Sequence, residues 1–127
     1  MRLLFDTHAL IWHYEASPAL SDRARDMLNL SDNQLFISTA SLWEMTIKVS
    51  SGKLRLRKSL KEIINVYREL EVTIMPVEPD HALATESLPW HHRDPFDRLL
   101  IAQAIHEDLT LVSRDNMFAS YPINVLW

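Results

Sequence analysis

The sequence predicts an α/β protein, in which helices cover both faces of a mostly parallel sheet as a three-layer α/β/α sandwich. Short apolar segments alternate along the chain with longer segments of helical pattern, which is typical of repeated strand–helix–strand units. The strand-like segments are apolar throughout rather than alternating between apolar and polar residues, as expected for strands buried on both faces. The 127 residues contain no internal repeat or linker, so we expect one domain over residues 1–127.

The first half of the chain contains two predicted strands and three predicted helices. In order, these are a strand over 2–5, helices over 7–14 and 21–30, a strand over 35–38 and a helix over 40–50. Pro18 separates the first two helices, because proline is poorly tolerated inside a helix. Ser21 is a favourable N-cap residue for the second helix, and Gly52 favours an end of the third helix just after residue 50.

The second half continues the alternation of helices and strands. In order, we predict a helix over 59–70, a strand over 72–77, a short helix from 79 that fades by 88, a loop over 89–93, a helix over 95–107, and strands over 109–113 and 123–127. The helix over 95–107 is the strongest of these, because Pro95 stands at its first position, where proline is favoured.

Composition excludes several classes of site. The chain has no cysteine, which excludes disulfides and thiolate metal sites and makes a reducing, cytoplasmic location the expectation. Gly52 is its only glycine, whereas a glycine-rich phosphate-binding loop needs several. No segment is apolar for long enough to cross a membrane, and no signal peptide is expected at the N-terminus. The net charge of −4 does not by itself indicate a nucleic-acid partner.

Acidic residues recur where the predicted strands end. Asp6 ends the first strand, and Asp115 lies two residues beyond the strand over 109–113. Asp94 and Asp97 open the helix that leads into that strand, and Glu44 lies in the apolar helix after the second strand. Ligands of open α/β sheets bind beyond the carboxyl ends of the strands. Converging carboxylates repel one another unless protons or cations intervene, and their hard oxygens suit Mg²⁺ or Mn²⁺.

Each of these acids also has a purely local interpretation. Asp6, Asp94 and Asp115 could each be a helix N-cap, since aspartate is among the best capping residues. For Asp94 this interpretation is retained, because the order Asp94-Pro95 is typical of a capped helix start. Glu44 could form an i,i+4 ion pair with Lys48, although its helix is apolar nearly all round.

Four ordered blocks of sequence resemble those of PIN-domain nucleases. They read LLFDT at 3–7, STASLWEM at 38–45, DPFDRLLIAQA at 94–104 and LTLVSRD at 109–115. Their order and spacing match across the whole chain, including the closing VLW at 125–127. Within that family, the sequence looks most similar to the VapC-type toxins of toxin–antitoxin pairs.

The resemblance implies a PIN fold, a divalent cation (Mg²⁺ or Mn²⁺), cleavage of RNA and a small VapB-like antitoxin as partner. It carries the catalytic and metal-binding roles onto Asp6, Glu44, Asp97 and Asp115. Asp94 is an accessory candidate, and Thr7 and Ser113 are expected to hydrogen-bond the carboxylates. A homodimer is also expected, without membrane association.

The chain also contains a run of basic residues, six histidines and four tryptophans. Six of the 13 Lys and Arg residues lie between Lys48 and Lys61, and among them Lys53, Arg55, Arg57 and Lys58 are candidates for RNA binding. The same run could instead be a solvated face.

A solvated loop is expected to contain His91, His92 and Arg93, although these residues could line an approach for RNA. The spacing of the histidines does not favour a zinc site. The tryptophans are expected in the core or at interfaces, with Trp127 a candidate for partner contact.

Two other functions remain as alternatives. The opening resembles that of haloacid-dehalogenase-type phosphatases, but that family needs a second aspartate at position 8, where this chain has His8. A catalytically inert PIN-like domain that binds RNA or protein is the second alternative, and the presence of all four acids argues against it.

Overall fold

A computed structural model, which describes all 127 residues, shows a five-stranded sheet. The strands are β1 (Arg2–Phe5), β2 (Gln34–Ser38), β3 (Thr73–Met75), β4 (Thr110–Val112) and β5 (Val125–Leu126), and their order in the sheet is β3-β2-β1-β4-β5. The helices are α1 (Thr7–Tyr14), α2 (Asp22–Asn29), α3 (Thr39–Ser50), α4 (Leu60–Glu69), α5 (Pro79–Ala84) and α6 (Pro95–Glu107). All four strand pairings are parallel, which confirms the predicted fold class.

Two apolar clusters pack on opposite faces of the sheet and make the three layers. Leu3 and Phe5 of β1 join one cluster, which buries apolar residues of α1, α2, α3 and α4. Leu4 points to the other face, where it meets apolar residues of α6 and of the segments around α5 and after β4. Successive side chains of a strand point to opposite faces, so an uninterrupted apolar strand serves both clusters.

The edge strands are shorter than their sequence predicts. β3 ends at Met75 rather than at Val77, because Pro76 has no backbone N–H to donate to a neighbouring strand. β5 contains only Val125 and Leu126, which pair with β4 alone. A 3₁₀ helix over Asn116–Ser120 was not predicted from the sequence. The short helix predicted from residue 79 consists of α5 followed by a second 3₁₀ helix, Thr85–Ser87.

Side-chain caps and one glycine set the limits of the helices. Ser21, Ser38 and Ser59 each accept a backbone N–H at the start of a helix, as good N-cap residues do. Gly52 has a φ of 78° directly after the end of α3, a conformation that favours glycine. The helix ends therefore follow signals that the sequence already contained.

The strand order places a crevice between β1 and β4. The chain runs from β1 outward through β2 to β3, and then crosses to β4 and β5 on the other side of β1. In parallel sheets such a reversal of strand order opens a crevice beyond the carboxyl ends of the two strands at the switch point. Asp6 and Ser113, which directly follow β1 and β4, stand at this position. No helix is long and apolar enough to span a membrane.

Candidate functional site

Asp6 is the innermost acid of the crevice, buried at the junction of β1 and α1. Its Oδ1 accepts the backbone N–H of Ala9 at 2.7 Å, and its Oδ2 accepts the hydroxyl of Ser113. The carboxylate thus caps α1 and is tied to the end of β4 at the same time. Hydrogen bonds from two separate elements fix its orientation, whereas a purely local helix cap would need only one.

Asp97 lies in the first turn of α6, at the centre of the acidic group. Asp94 caps this helix by accepting the backbone N–H of Asp97 at 3.0 Å. The pKa of Asp97 is raised to about 8, first by burial and then by the negative charges of Asp94, Glu44, Asp6 and Asp115. All the other acids of the group therefore act electrostatically on Asp97.

Asp115 forms the rim of the crevice at the start of the 3₁₀ helix after β4. Its Oδ1 accepts the backbone N–H of Met117 at 2.9 Å, and its backbone N–H donates to the Ser113 hydroxyl at 3.0 Å. Asp6 and Asp115 both line an open cavity of about 310 Å³. Two larger cavities, of about 520 and 570 Å³, share His13 and Asn29 and contain none of the clustered acids.

Glu44 reaches the group from α3 and is only 7% exposed. Its Oε2 pairs with Lys48 Nζ at 2.9 Å, which is the local ion pair that the sequence allowed. Its Oε1 is buried and has no hydrogen-bond partner. A buried carboxylate oxygen without a partner carries a desolvation penalty that a bound cation would relieve.

The arrangement fits a divalent cation. Asp6, Glu44, Asp97 and Asp115 offer hard oxygen ligands, which Mg²⁺ and Mn²⁺ prefer. Burial also raises the pKa of Asp6, with the Asp115 charge adding to it, while hydrogen bonds from Ser113 and Ala9 oppose the shift. The pKa of Asp97 is raised, and Glu44 Oε1 has no hydrogen-bond partner. Both features indicate that the cluster contains too little positive charge to balance its carboxylates.

We expect the metal-free protein to lose stability as the pH rises from about 4 to about 8. Unfolding lowers the pKa of Asp97 from about 8 to its usual 3.8, so within this window the folded state holds a proton that the unfolded state has released. The contribution is fully present below the lower pKa and is lost as the pH passes the upper one. At about 1.4 kcal/mol per pKa unit, it amounts to a few kcal/mol.

Thermal melting in EDTA across this window measures the effect, with Asp97→Asn as the comparison because it cannot titrate. The melting temperature of the wild type should fall relative to that of the variant as the pH rises. Parallel pH profiles for the two proteins would show that Asp97 titrates normally in the folded state.

His92 belongs to the acidic group, which the sequence did not predict. Instead of lying in a solvated loop, its side chain is mostly buried, with Nε2 at 3.1 Å from Asp97 Oδ2 and 3.0 Å from Asp115 Oδ2. Its Nδ1 accepts the backbone N–H of Asp94 at 3.3 Å, so the neutral ring carries its proton on Nε2. His92 therefore donates its Nε2–H to Asp115 and lies directly beside Asp97. His91 and Arg93 are exposed, as expected.

Arg98 fixes the loop that presents His92, and it too was missed. Its buried guanidinium donates to the carbonyl oxygens of Thr85, Leu88, Pro89 and His92 at 2.8–3.1 Å. The Tyr121 hydroxyl completes the support by donating to the Pro89 carbonyl oxygen and accepting the His92 backbone N–H. A charged residue inside a helix gave no sequence signal for this role, because its partners are backbone atoms of an irregular loop.

The remaining candidate residues differ in whether they contact the acids. Ser113 donates to Asp6 as described, but Thr7 does not reach a carboxylate and donates instead to Ser41 Oγ at 3.1 Å. The hydrogen-bonding role expected for Thr7 is therefore wrong in this structure. Lys53, Arg55, Arg57 and Lys58 are all exposed in the irregular segment between α3 and α4, and none of them forms an ion pair.

A second group of possible metal ligands has a simpler explanation. His81 Nε2 lies 2.9 Å from Glu107 Oε1, and His106 is close by. Because His81 Nδ1 accepts the backbone N–H of Glu78, its proton is on Nε2 and is donated to Glu107. The contact therefore joins α5 to the end of α6, and both nitrogens of His81 are already engaged.

The fold is that of an α/β protein whose acidic group lies at the switch point of a parallel sheet, where ligands of such sheets bind. A family model described as the PIN domain matches residues 3–124, so the chain belongs to the PIN domain family. A search of curated protein sequences found no significant match. The sequence-based assignment to this family is thereby confirmed.

Solved structures show the same fold along their full length. VapBC2 from Rickettsia felis, bound to a DNA fragment from its promoter, matches with a TM-score of 0.74 and 18% identity over 99% of this chain and 98% of the other. FitAcB from Neisseria gonorrhoeae gives 0.67 and 18% over 98% and 96%. DNA-bound VapBC from Salmonella typhimurium gives 0.67 and 17% over 99% and 97%. At these identities the likeness is one of fold.

Proposed function

We propose that this chain is an endoribonuclease that depends on a divalent cation, Mg²⁺ or Mn²⁺, and that it acts as the toxin of a toxin–antitoxin pair. The observation that carries the proposal is the convergence of four carboxylates from separate segments on one crevice, where Asp97 has a strongly raised pKa and Glu44 Oε1 has no partner. Membership of the PIN domain family supports the nuclease assignment.

A cation held by Asp6, Glu44, Asp97 and Asp115 would supply neutralisation of the phosphodiester charge and activation of water. The chain's own residues provide the orientation. Ser113 and the Ala9 amide fix the two oxygens of Asp6, and Lys48 holds Glu44 Oε2, which leaves Oε1 as the free oxygen.

His92 and Asp94 contact residues of the acidic group and help to position them. The Nε2–H of His92 donates to Asp115 Oδ2 at 3.0 Å, and the same nitrogen lies 3.1 Å from Asp97 Oδ2, so the ring stands between the two carboxyl groups. Asp94 fixes the first turn of α6 and adds negative charge beside Asp97. We assign both as positioning residues, since each acts on the substrate only through another carboxylate.

The direct test is hydrolysis of a labelled single-stranded RNA by the purified chain. Cleavage should require Mg²⁺ or Mn²⁺ and stop in excess EDTA, and Glu44→Gln should reduce it at least about 100-fold, since metal catalysis contributes several kcal/mol. Because water is the proposed nucleophile, the products should carry no 2′,3′-cyclic phosphate. Undiminished cleavage in EDTA would contradict the proposal, and binding of RNA without any cleavage would favour the inert alternative.

We also propose that the basic segment over 53–58 contacts the RNA backbone. Lys53, Arg55, Arg57 and Lys58 are exposed without acidic partners, while Leu54 and Leu56 between them pack against the core and hold the segment in place. Replacing Arg55, Arg57 and Lys58 together by Ala should weaken RNA binding and reduce the slope of log affinity against log salt by about 2 to 3, near 0.7 to 0.9 per lost phosphate contact.

A control for this variant is replacement of Arg23 and Arg68 by Ala, since these exposed cations lie on α2 and α4, outside the basic segment. Its salt slope should equal that of the wild type. An unchanged slope in the basic-segment variant would show that the segment is only a solvated face.

We propose a small antitoxin protein as the partner. Support comes from the full-length fold similarity to chains of toxin–antitoxin complexes, among them VapBC-5 of Mycobacterium tuberculosis, a member of the VapBC family. Exposed apolar side chains also give this chain a surface suited to a partner, since Trp43, Leu83 and Trp90 are each at least 60% exposed. The homodimer stays a prediction.

A further inference from the structure

A pocket beside the acidic group contains side chains that the proposed hydrolysis does not use. The cavity of about 310 Å³ is lined by Asp6, Asp115, His8, Trp12 and Arg114. Two of the five are candidate cation ligands, and the other three are planar aromatic or cationic side chains. The pocket is therefore charged on one side and built for stacking on the other.

The stacking side is assembled from three segments of the chain. His8 and Trp12 stand one turn apart on α1, so they share a helix face, and their ring centroids are 5.6 Å apart. The Cζ of Arg114 lies 4.8 Å from the Trp12 centroid. Trp127, at the end of the chain, supports Trp12 at 5.8 Å.

His8 and Arg114 are exposed, whereas Trp12 is half-buried. Trp12 thus forms the supported floor of the pocket, and two exposed side chains lie around it. Solvent-exposed imidazole and guanidinium groups beside an indole are suited to a planar guest, because bases stack on aromatic rings and on arginine planes.

We propose that this pocket receives one unpaired nucleobase of single-stranded RNA, next to the phosphate that is cut. The inference rests on the proposed function, because Asp6 and Asp115 are shared between the pocket and the acidic group. A base stacked against His8 and Trp12 would belong to a nucleotide next to the scissile phosphate. Arg114 would then be near enough to contact the RNA backbone at that nucleotide.

The charges of the pocket favour a nucleotide over an apolar side chain of a partner protein. An apolar side chain seated here would cover Asp115 and Arg114 without offering a hydrogen bond to either, and covering a charge without a partner is costly. A nucleotide supplies an aromatic face for the rings and an anion for Arg114. A base inside a duplex is stacked and paired, so the substrate would be a single strand or a loop.

The test compares two oligomers by fluorescence anisotropy in an Asp97→Asn background, so that binding is measured without turnover. One probe is a ten-nucleotide single-stranded RNA, and the other is a sugar–phosphate oligomer of equal length without bases. His8→Ala should weaken binding of the RNA about fivefold or more, as expected for one lost stacking contact, and leave binding of the abasic oligomer unchanged. Trp12→Phe should retain most of the RNA affinity, and Trp12→Leu should lose it.

His106→Ala is the matched control, since this exposed histidine lies near the end of α6 and outside the pocket. His8 is exposed, so His8→Ala keeps the test valid even if Trp12→Leu does not fold. Equal weakening of both oligomers would show that the pocket binds only the sugar–phosphate chain. Unchanged binding of the RNA by His8→Ala would show that no base stacks in the pocket. Either outcome overturns the inference, while RNA binding with base dependence but no cleavage by the wild type would overturn the proposed function alone.

Discussion

Asp97→Asn is expected to reduce RNA cleavage at least about 100-fold and to stabilise the metal-free protein at neutral pH. Asparagine cannot provide a charged ligand, so the several kcal/mol that a cation contributes to catalysis is lost. It also removes the need to hold a buried carboxyl group that has a pKa of about 8. The melting temperature in EDTA should therefore rise, while stabilisation by added Mg²⁺ should shrink.

Asp80→Asn is the matched control for this variant. Asp80 also lies in the first turn of a helix, but it is exposed and is not among the charges that act on Asp97. The RNA cleavage rate and the melting temperature of this control should equal those of the wild type. A variant with Asn at 97 that still cleaves at a near wild-type rate would remove Asp97 from the catalytic group.

Arg98→Met should destabilise the fold by about 3 kcal/mol or more, which is a fall of roughly 10 °C in melting temperature for a domain of this size. The guanidinium is 4% exposed, donates to four carbonyl oxygens and stacks on Trp90, with Cζ at 3.8 Å from the ring centroid. Methionine fills similar space but leaves the carbonyl oxygens without donors. Chemical or thermal unfolding measures the loss.

Arg98→Lys tests whether geometry matters in addition to charge. A lysine ammonium lacks the planar fork of arginine, so it cannot serve carbonyl oxygens on both sides of the loop, and an intermediate loss is expected. Arg93→Met is the control, since Arg93 is exposed in the same loop. If Arg98→Met unfolds with a free energy within about 0.5 kcal/mol of the wild type, the loop is held by other contacts.

The sequence predicted the sheet and the meeting of the acids because both follow from short-range signals. Apolar strands, serine caps and Pro95 define the elements, and the residues after the central strands must meet at one edge of a parallel sheet. The predicted strands at the positions of β3 and β5 were too long, because an edge strand pairs with a single neighbour.

The sequence could not decide between cap and cluster for the acids, because the structure combines the two. Asp6 caps α1 with one oxygen and binds Ser113 with the other. Asp115 likewise caps a 3₁₀ helix through Oδ1 and meets His92 through Oδ2. Glu44 pairs with Lys48 and still has an oxygen without a partner. A carboxylate has two acceptor atoms, so a satisfied cap leaves room for a second role.

His92, Arg98 and the pocket around Trp12 were beyond the sequence for a different reason. The position of His92 depends on hydrogen bonds from Arg98 to the backbone of an irregular loop, and such bonds leave no periodic pattern. The pocket joins Trp12 of α1 to Arg114, and Trp12 packs on Trp127; both partners are more than 100 residues away along the chain. Only the folded sheet brings these segments together.

The most direct test of the acidic group as a cation site is a calorimetric titration of the metal-free protein with Mn²⁺, beside the same titration of Asp97→Asn. The wild type should show saturable binding, and Asp97→Asn should bind at least about tenfold more weakly, which corresponds to about 1.4 kcal/mol. Protons should be released on binding near neutral pH, because the pKa of Asp97 is raised to about 8. Absence of saturable binding to the wild type, or equal affinity for the two proteins, would contradict this account of the site.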